Sequence, residues 1–207
     1  MNRKGIIHRD LKPENILLNS KEKSNFDIRI ADFGFSVLTN IADPDQSCEK
    51  GHACGTGGYI PPEALQGLGY SVKSDVFSVG SIMYSILSLR NLFFGKDQND
   101  ILRANKYCNI DHVIPNLSNR SREAQELLLK LLSADPKLRP TAAEALEHPW
   151  FANQMNAVIG SLTINALFSF ELQGRKGSSQ HMNMRKLGKK ILSMSPDKAE
   201  PISFLAS

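Results

Sequence analysis

A polar run near the start of the chain constrains its fold and chemistry more than any other sequence feature. The run is His8-Arg9-Asp10-Leu11-Lys12-Pro13-Glu14-Asn15, and Asp32-Phe33-Gly34 follows 22 positions after Asp10. Both runs lie beside short apolar stretches that suit β-strands, which places their polar residues on loops. Two carboxylates and an amide on such loops can hold a divalent metal ion through oxygen atoms and leave one carboxylate to accept a proton. The pattern therefore predicts a phosphoryl-transfer site.

Three further motifs follow in the chain: residues 54–63, residues 74–80, and Arg139 in an Asp-Pro-x-x-Arg-Pro context. Together with the two polar runs, they resemble the larger, C-terminal lobe of a eukaryotic protein kinase over about residues 5–151. Lys12, two places after Asp10, is typical of the serine/threonine-specific branch. We call residues 8–15 the catalytic loop.

The resemblance implies a role for each polar group of this loop. Asp10 would accept the proton of the substrate hydroxyl, and Lys12 would neutralise the transferring phosphoryl group. Asn15 and Asp32 would hold magnesium. The implied cofactors are ATP and Mg²⁺, and the residues that would bind them are Lys12, Glu14, Asn15 and Asp32. The implied activity is transfer of the ATP γ-phosphate to serine and threonine hydroxyls of proteins.

Glu14 also bears on substrate choice. In basophilic relatives of this pattern that glutamate faces the peptide groove and pairs with an arginine upstream of the phosphoacceptor, so the resemblance implies basic protein substrates. The alternative is a solvated loop carboxylate with no substrate role.

Other residues are expected to hold the site rather than to react. The resemblance implies that Glu63 forms a buried pair with Arg139 and that Asp75 caps the backbone of the catalytic loop. It also places Thr56 within hydrogen-bonding distance of Asp10 and Lys12, whose positions it would fix.

Arg9, next to Asp10, is placed to bind a phosphate on the loop that follows residue 33. The candidate hydroxyls are Thr39, Ser47 and Thr56. Ser47 is favoured because it lies in the middle of the loop, whereas Thr56 is expected to be structural. The alternative is that the negative charge is already supplied by Asp43, Asp45 and Glu49.

Three positions depart from the family pattern. Gly57 stands where the pattern has proline, Pro61 where it has alanine, and Phe77 where it has tryptophan. Gly57 loosens the segment that would contact the substrate residue after the phosphoacceptor, while Pro61 stiffens the next turn, so the preference at that substrate position stays open. Phe77 keeps an aromatic anchor without the indole donor.

The 207 residues contain no GxGxxG or GxxxxGK[ST] run and no matching strand lysine. We therefore expect a mainly α fold with short β-strands (α+β), the C-terminal lobe of the protein-kinase-like fold with its N-terminal lobe absent. Residues 1–151 would be a partial kinase domain that is inactive alone, with an uncovered apolar flank near Ile82 and Ile86. The alternative function is that of a non-catalytic binding or scaffold fragment with a kinase outline.

Apolar periodicity predicts strands first and helices afterwards. The predicted strands are residues 6–7, 15–18 and 28–30, followed by a loop without periodicity over residues 33–62. The predicted helices are residues 74–89, opened by Ser74 and Asp75, residues 121–132, and residues 141–147, capped by Thr141. The second of them has an apolar stripe at Ala124, Leu127, Leu128, Leu131 and Leu132.

The charge balance differs between the two parts of the chain. Residues 1–151 carry 18 Lys or Arg and 18 Asp or Glu, whereas residues 152–207 carry seven against three. A neutral body argues against nucleic-acid binding despite a pI near 9.0. The odd number of cysteines, three, favours a reducing compartment, the cytoplasm or nucleus, and the apolar stretches are too short to span a membrane.

Residues 152–207 therefore form a basic C-terminal extension. Within it, residues 184–194 place Met and Leu on one face of a possible basic helix. The extension could be a solvated tail, a segment that binds an acidic partner such as a calmodulin-like protein, or a brake lying in the active cleft. The last two are typical of the calcium/calmodulin-dependent kinase group.

Overall fold

The computed structural model describes residues 1, 4–18, 28–40 and 47–152. Four short strands come first: β1 Ile6–Ile7, β2 Ile16–Leu18, β3 Ile28–Ile30 and β4 Val37–Leu38. They form two antiparallel pairs, β1 with β4 and β2 with β3. Single turns of 3-10 helix occur at Pro13–Asn15 and Pro136–Leu138. The extension beyond Ala152, and every interpretation of it, lies outside the described residues.

Helices make up most of the described chain after residue 60. They are α1 Pro62–Leu65, α2 Val72–Ser88, α3 Gln98–Lys106, α4 Val113–Asn116, α5 Arg122–Leu131, α6 Ala142–Leu146 and α7 Pro149–Ala152. The predicted fold class, mainly helical with short strands, is confirmed for the part of the chain described. Across that part, no helix combines the length and the apolar character needed to cross a membrane.

The central helix α2 begins earlier than predicted. Its N-cap is Ser71, whose hydroxyl accepts from the backbone N–H of Lys73 at 3.3 Å, while Ser74 accepts from the N–H of Ser71 at 3.0 Å. This reciprocal pair is a capping box. The prediction that Ser74 and Asp75 open the helix was wrong, because both lie inside the first turn and the Asp75 carboxylate bonds elsewhere.

The core is built where α2 packs against α5. The stripe predicted for α5 is confirmed, since all of its members are buried: Ala124, Leu127, Leu128, Leu131 and Leu132. A Cβ at Gly80 would lie 2.9 Å from Leu132 Cδ2 and 3.0 Å from Leu131 Cβ. The two helices therefore approach closely because Gly80 has no side chain.

The apolar flank of α2 that was expected to be uncovered is buried. Ile82 is fully buried and Ile86 is 8% exposed. Both belong to one hydrophobic cluster with Phe93, Val113 and Leu117, which come from the segments between α2 and α5. The expectation was wrong because Phe93, Val113 and Leu117 show no clear apolar periodicity. The sequence therefore did not indicate that their segments fold back onto α2.

The stretch over residues 33–62 contains more order than predicted. Besides β4, Cys48 forms an antiparallel bridge with Tyr70 through two backbone hydrogen bonds of 2.8 and 2.9 Å. The stretch ends in α1, whose Ala64 joins a second apolar cluster with Ile7, Ile60 and Tyr70. This cluster fixes the end of the loop against β1, close to the catalytic loop.

The cap of α6 gives a prediction about stability and pH. Thr141 accepts from the Glu144 N–H at 3.2 Å, and the Glu144 carboxylate accepts from the Thr141 N–H at 2.7 Å. That hydrogen bond holds the pKa of Glu144 below its usual value. We expect Thr141→Ala to lower the free energy of unfolding by about 1 kcal/mol, measured by urea titration.

The Glu144 contribution should depend on pH. Because its pKa is lower in the folded state, its stabilisation is present above the unfolded-state pKa and is lost as pH falls through the folded-state value. The difference in unfolding free energy between wild type and Glu144→Gln should therefore shrink on going from pH 7 to pH 4. A difference that stayed constant with pH would contradict this assignment.

Candidate active site

The β2–β3 hairpin brings the two polar runs together. In its register Ile16 pairs with Ile30, and the N–H of Ala31 donates to the carbonyl of Asn15 at 2.8 Å. Asn15 thus ends the catalytic loop directly beside the residue that precedes Asp32. Asn15 and Ala31, 16 positions apart in sequence, meet because antiparallel pairing fixes the register.

Asp10 lies at the centre of a closed set of hydrogen bonds and is 4% exposed. Thr56 donates its hydroxyl to Asp10 Oδ1 at 2.7 Å, and Lys12 Nζ lies 2.9 Å from Asp10 Oδ2. Lys12 Nζ also donates to Thr56 Oγ1 at 2.7 Å. The carboxylate, the ammonium and the hydroxyl therefore fix one another, which is the preorganisation that charge stabilisation requires.

Asn15 completes the surroundings of Asp10. Its carboxamide nitrogen donates to the Asp10 carbonyl at 2.9 Å and lies 3.4 Å from Asp10 Oδ2. Among the described residues, the Asn15 side-chain oxygen accepts no hydrogen bond, so it can act as a ligand. Asp32 is exposed, and one of its carboxylate oxygens accepts from the Gly34 N–H at 3.3 Å.

The side-chain oxygens of Asn15 and Asp32 are suitable ligands for magnesium. Within the described residues, no group of three His, Cys, Asp or Glu side chains could hold a metal by itself. Mg²⁺, however, is commonly bound by one or two carboxylates together with substrate phosphates. Asp32 and Asn15 supply a carboxylate and an amide oxygen of the hard type that this ion prefers.

Asp75 holds the backbone of the catalytic loop from inside α2. Its carboxylate accepts from the N–H of His8 at 2.8 Å and from the N–H of Arg9 at 3.0 Å. Burial raises the pKa of Asp75, and the two N–H donors partly offset that rise. Arg9 has a φ of 67°, so these bonds help to hold a backbone conformation that a residue with a side chain seldom adopts.

The His8 side chain links the two polar runs a second time. Its Nε2 lies 3.0 Å from the Ala31 carbonyl oxygen, and its ring packs edge-on against Phe33 with centroids 4.9 Å apart. Since His8 is fully buried, it serves as a packed connection between the catalytic loop and the Asp32 loop.

The Arg9 side chain contacts three segments that are far from it in the sequence. Its Nε donates to the Phe35 carbonyl at 2.5 Å, its guanidinium lies 5.3 Å from the centre of the Tyr70 ring, and Nη1 is 3.8 Å from the Glu49 carboxylate. Of the three loop carboxylates proposed to supply negative charge, Glu49 is therefore the one observed near Arg9. Asp43 and Asp45 lie outside the described residues.

Glu63 and Arg139 form a buried, bidentate ion pair with N–O distances of 2.7 and 2.5 Å. The exposed fractions are 5% for Glu63 and 1% for Arg139. The remaining guanidinium N–H groups donate to the carbonyls of Ser133, Lys73 and Ala134, so all five are satisfied. The pair joins the start of α1 to the segment before α6.

Phe77 packs beside this pair. The Arg139 guanidinium lies 5.0 Å from the centre of the Phe77 ring, and Phe77 stacks on Phe93 with centroids 6.4 Å apart. An aromatic face is enough for both contacts. Although the indole donor is absent at this position, no buried side-chain nitrogen or oxygen among the described residues lacks a hydrogen-bond partner.

Sequence reasoning missed the support of residues 58–60. Asn105, fully buried in α3, accepts from the Gly58 N–H at 3.0 Å and donates to the Ile60 carbonyl at 2.8 Å. Ser81 donates to the Gly58 carbonyl and Ser78 to the Tyr59 carbonyl, both at 2.7 Å. The only signal in the sequence was Asn105 itself, and a single asparagine in a mostly polar helix does not indicate which groups it will bind.

Glu14 is exposed on the 3-10 turn Pro13–Asn15, next to the buried Asn15. Burial, together with the negative charge of Glu14, raises the pKa of Tyr59 to about 12. Glu14 therefore contributes its negative charge at the partly buried Tyr59 side chain.

This assembly belongs to a known class. The model of one family, described as protein kinase domain, matches residues 1–151, and the chain belongs to that family. The probable serine/threonine-protein kinase 2 of Plasmodium falciparum is 32% identical over 183 residues, which cover 88% of this chain and 34% of the relative.

Two further relatives agree. The δ subunit of calcium/calmodulin-dependent protein kinase type II from Oryctolagus cuniculus is 38% identical over 150 residues, covering 72% of this chain and 27% of the relative. The solved twitchin kinase region from C. elegans superposes with a TM-score of 0.61 at 34% identity, covering 73% of this chain and 25% of the solved one. The chain thus spans between a quarter and about a third of the length of these proteins.

Proposed function

We propose that this chain is the catalytic lobe of a serine/threonine protein kinase that transfers the ATP γ-phosphate to protein hydroxyls. The observation that carries the proposal is the closed arrangement of Asp10, Thr56 and Lys12, with the Asn15 carboxamide bonded to Asp10. Residues 1–151 would be the partial kinase domain, and residues 152–207 its basic extension. The proposed setting is the cytoplasm or nucleus.

The proposed mechanism relies on position and charge. The substrate hydroxyl bonds to the Asp10 carboxylate, which takes up its proton as the oxygen bonds to the γ-phosphorus of ATP. The bond from that phosphorus to the bridging oxygen breaks, and ADP leaves. Lys12, held 2.9 Å from Asp10, would neutralise the negative charge that develops on the transferring group. Asn15 and Asp32 would hold Mg²⁺, and ATP with Mg²⁺ supplies the phosphoryl group and neutralises its charge when bound.

A direct test compares the 207-residue chain with a full-length protein, defined as a chain that joins these residues to a Gly-rich loop and a strand lysine. The 207 residues lack a Gly-rich loop and a strand lysine to position ATP, so we expect no appreciable activity from the chain alone. The full-length protein should phosphorylate a generic serine peptide with ATP and Mg²⁺, measured by radiolabel transfer. A full-length protein that is inert under these conditions would favour the scaffold alternative.

Substrate choice gives another prediction. An arginine upstream of the phosphoacceptor could pair bidentately with the exposed Glu14 carboxylate. Peptide-library phosphorylation by the full-length protein should select upstream arginine, and Glu14→Ala should weaken that selection about tenfold. Equal selection by wild type and variant would assign Glu14 to the solvated loop surface instead.

Two regulatory proposals follow from the sequence. A calmodulin-like partner is proposed for the basic extension because residues 184–194 place Met and Leu on one face of a possible basic helix. Negative charge near Arg9, from a phosphate at Ser47 or from loop carboxylates, is proposed to order the loop. The Glu49 carboxylate at 3.8 Å from Arg9 supports the second source.

A further inference from the structure

Two aromatic side chains are exposed on one groove beside α3. Phe94 and Tyr107 are each 69% exposed. Both line a groove of about 600 Å³ together with Lys96, Asp100 and Arg103. Exposed aromatic residues that share one surface with arginine are typical of surfaces that bind another protein. We call this surface the α3 groove.

The wall of the groove formed by residues 94–96 is held in place. A Cβ built at Gly95 would overlap the Cβ of Asp100 in the first turn of α3, so the lack of a side chain lets this wall pack against the helix. The Phe94 ring packs edge-on against His112, with centroids 5.4 Å apart. The Phe94 ring is therefore positioned before any ligand binds, which lowers the entropic cost of binding.

The charged groups of the groove leave an excess of positive charge. Both oxygens of the Asp100 carboxylate are engaged, since Oδ1 pairs with Arg103 and Oδ2 accepts from the backbone N–H of Lys96 at 3.2 Å. Among the described residues, the Lys96 ammonium has no partner of its own. The Lys96 ammonium and the remaining N–H groups of the exposed Arg103 guanidinium are thus available to carboxylates.

Charge argues against two occupants that this chain itself could supply. Residues 152–207 carry seven Lys or Arg against three Asp or Glu, so the extension has the same sign of charge as the groove. A second copy that presented the same groove would bring two sets of Lys96 and Arg103 together. An acidic segment of another protein is the occupant whose charge complements the groove.

We infer that the α3 groove binds an acidic peptide segment of a partner protein. An apolar side chain of that segment packs on the two aromatic rings, Phe94 and Tyr107. Carboxylates that flank this side chain pair with Lys96 and Arg103. The aromatic rings supply most of the affinity, and the cations select acidic segments over basic ones.

The groove is separate from the catalytic centre, although α3 serves both. The buried Asn105 of α3 binds the backbone of residues 58–60, whereas Ala104 and Tyr107 line the groove. No residue of the catalytic loop lines the groove. Binding can therefore be measured without ATP, and the inference does not rest on the proposed function.

The experiment measures binding of fluorescein-labelled peptides to the 207-residue chain by fluorescence anisotropy. Each peptide carries an apolar pair, either Leu-Phe, Leu-Leu or Ile-Trp, between flanks of Glu, Lys or Ser. Peptides with Glu flanks should bind about tenfold more tightly than those with Lys flanks, and this difference should shrink as the salt concentration rises.

Three variants separate the apolar contribution from the electrostatic one. Phe94→Ser and Tyr107→Ser should each weaken binding of the Glu-flanked peptides about tenfold, because less apolar area is then buried. Lys96→Glu should remove the preference for Glu flanks, because it replaces an attraction by a repulsion.

Leu138→Ser and Lys137→Glu are the matched controls. Leu138 is 72% exposed and Lys137 is exposed beside it, on the turn Pro136–Leu138, which does not line the groove. Both controls should leave peptide binding unchanged.

Three results would overturn the inference. The first is that Glu-flanked peptides bind no more tightly than Lys-flanked ones, and the second is that the controls weaken binding as much as Phe94→Ser does. The third is a wild-type dimer, seen by sedimentation, that Phe94→Ser and Tyr107→Ser dissociate. That result would assign the groove to a second copy of the chain.

Discussion

Replacing Asp10 with asparagine is expected to lower the turnover number of the full-length protein by about 10²–10⁴-fold. The variant keeps an oxygen that accepts from Thr56 but loses the carboxylate that takes up the proton. It also turns an amide towards the Lys12 ammonium, which should lower the free energy of unfolding by only about 1–2 kcal/mol. Steady-state kinetics and a thermal melt of the same preparation measure both effects.

Two companion variants separate charge from packing. Asp32→Asn and Lys12→Ala should also reduce turnover by orders of magnitude with little change in stability, because the Asp32 side chain is exposed and Lys12 is only partly buried. Asp111→Asn, on an exposed residue far from the catalytic loop in sequence, is the control and should leave turnover unchanged. Parallel losses of stability and activity in all three site variants would show that these residues are scaffold, not catalytic groups.

Removing one partner of the Glu63–Arg139 pair should produce the largest loss of stability. Arg139→Met would leave the Glu63 carboxylate buried without its bidentate partner and would deprive three carbonyls of donors. We expect a decrease in unfolding free energy of about 3–5 kcal/mol. Trp150, the one tryptophan in the sequence and 6% exposed, provides the fluorescence signal for urea titration.

A double variant tests the reason for that loss. If the loss comes from a stranded charge, Glu63→Leu combined with Arg139→Met should cost less than the sum of the single changes, since no unpaired charge remains. Recovery should be incomplete, because the carbonyls of Ser133, Lys73 and Ala134 still lack their donors. Strict additivity of the two single losses would mean that the two side chains act independently.

Elements with strong local signals could be read from the sequence. The α5 stripe and the Thr141 cap were predicted within a residue or two, because periodicity and capping depend on neighbours three or four positions away. The start of α2 was placed late, since Ser71 and Ser74 offer similar local signals. What distinguishes a start at Ser71 from a start at Ser74 is the Asp75 carboxylate, which accepts hydrogen bonds from the backbone N–H groups of His8 and Arg9 instead of capping the helix.

The helix α3 illustrates what local signals miss. Its nine residues include few apolar ones, and the sequence analysis did not predict it. Its Asn105 is nevertheless fully buried, since two backbone groups of residues 58 and 60 satisfy its carboxamide. A polar residue is stable in such a place only when a distant partner is present, and a single sequence does not name that partner.

The sequence by itself determined the chemistry: which carboxylates, amide and ammonium are present, and in what order along the chain. It did so because those residue types at those spacings restrict both the metal and the reaction. Only the tertiary structure decided which groups meet. Hydrogen bonds between Thr56 and Asp10, 46 residues apart, or between Asn105 and Gly58, 47 apart, depend on how helices and hairpins pack, and packing is a property of the whole core.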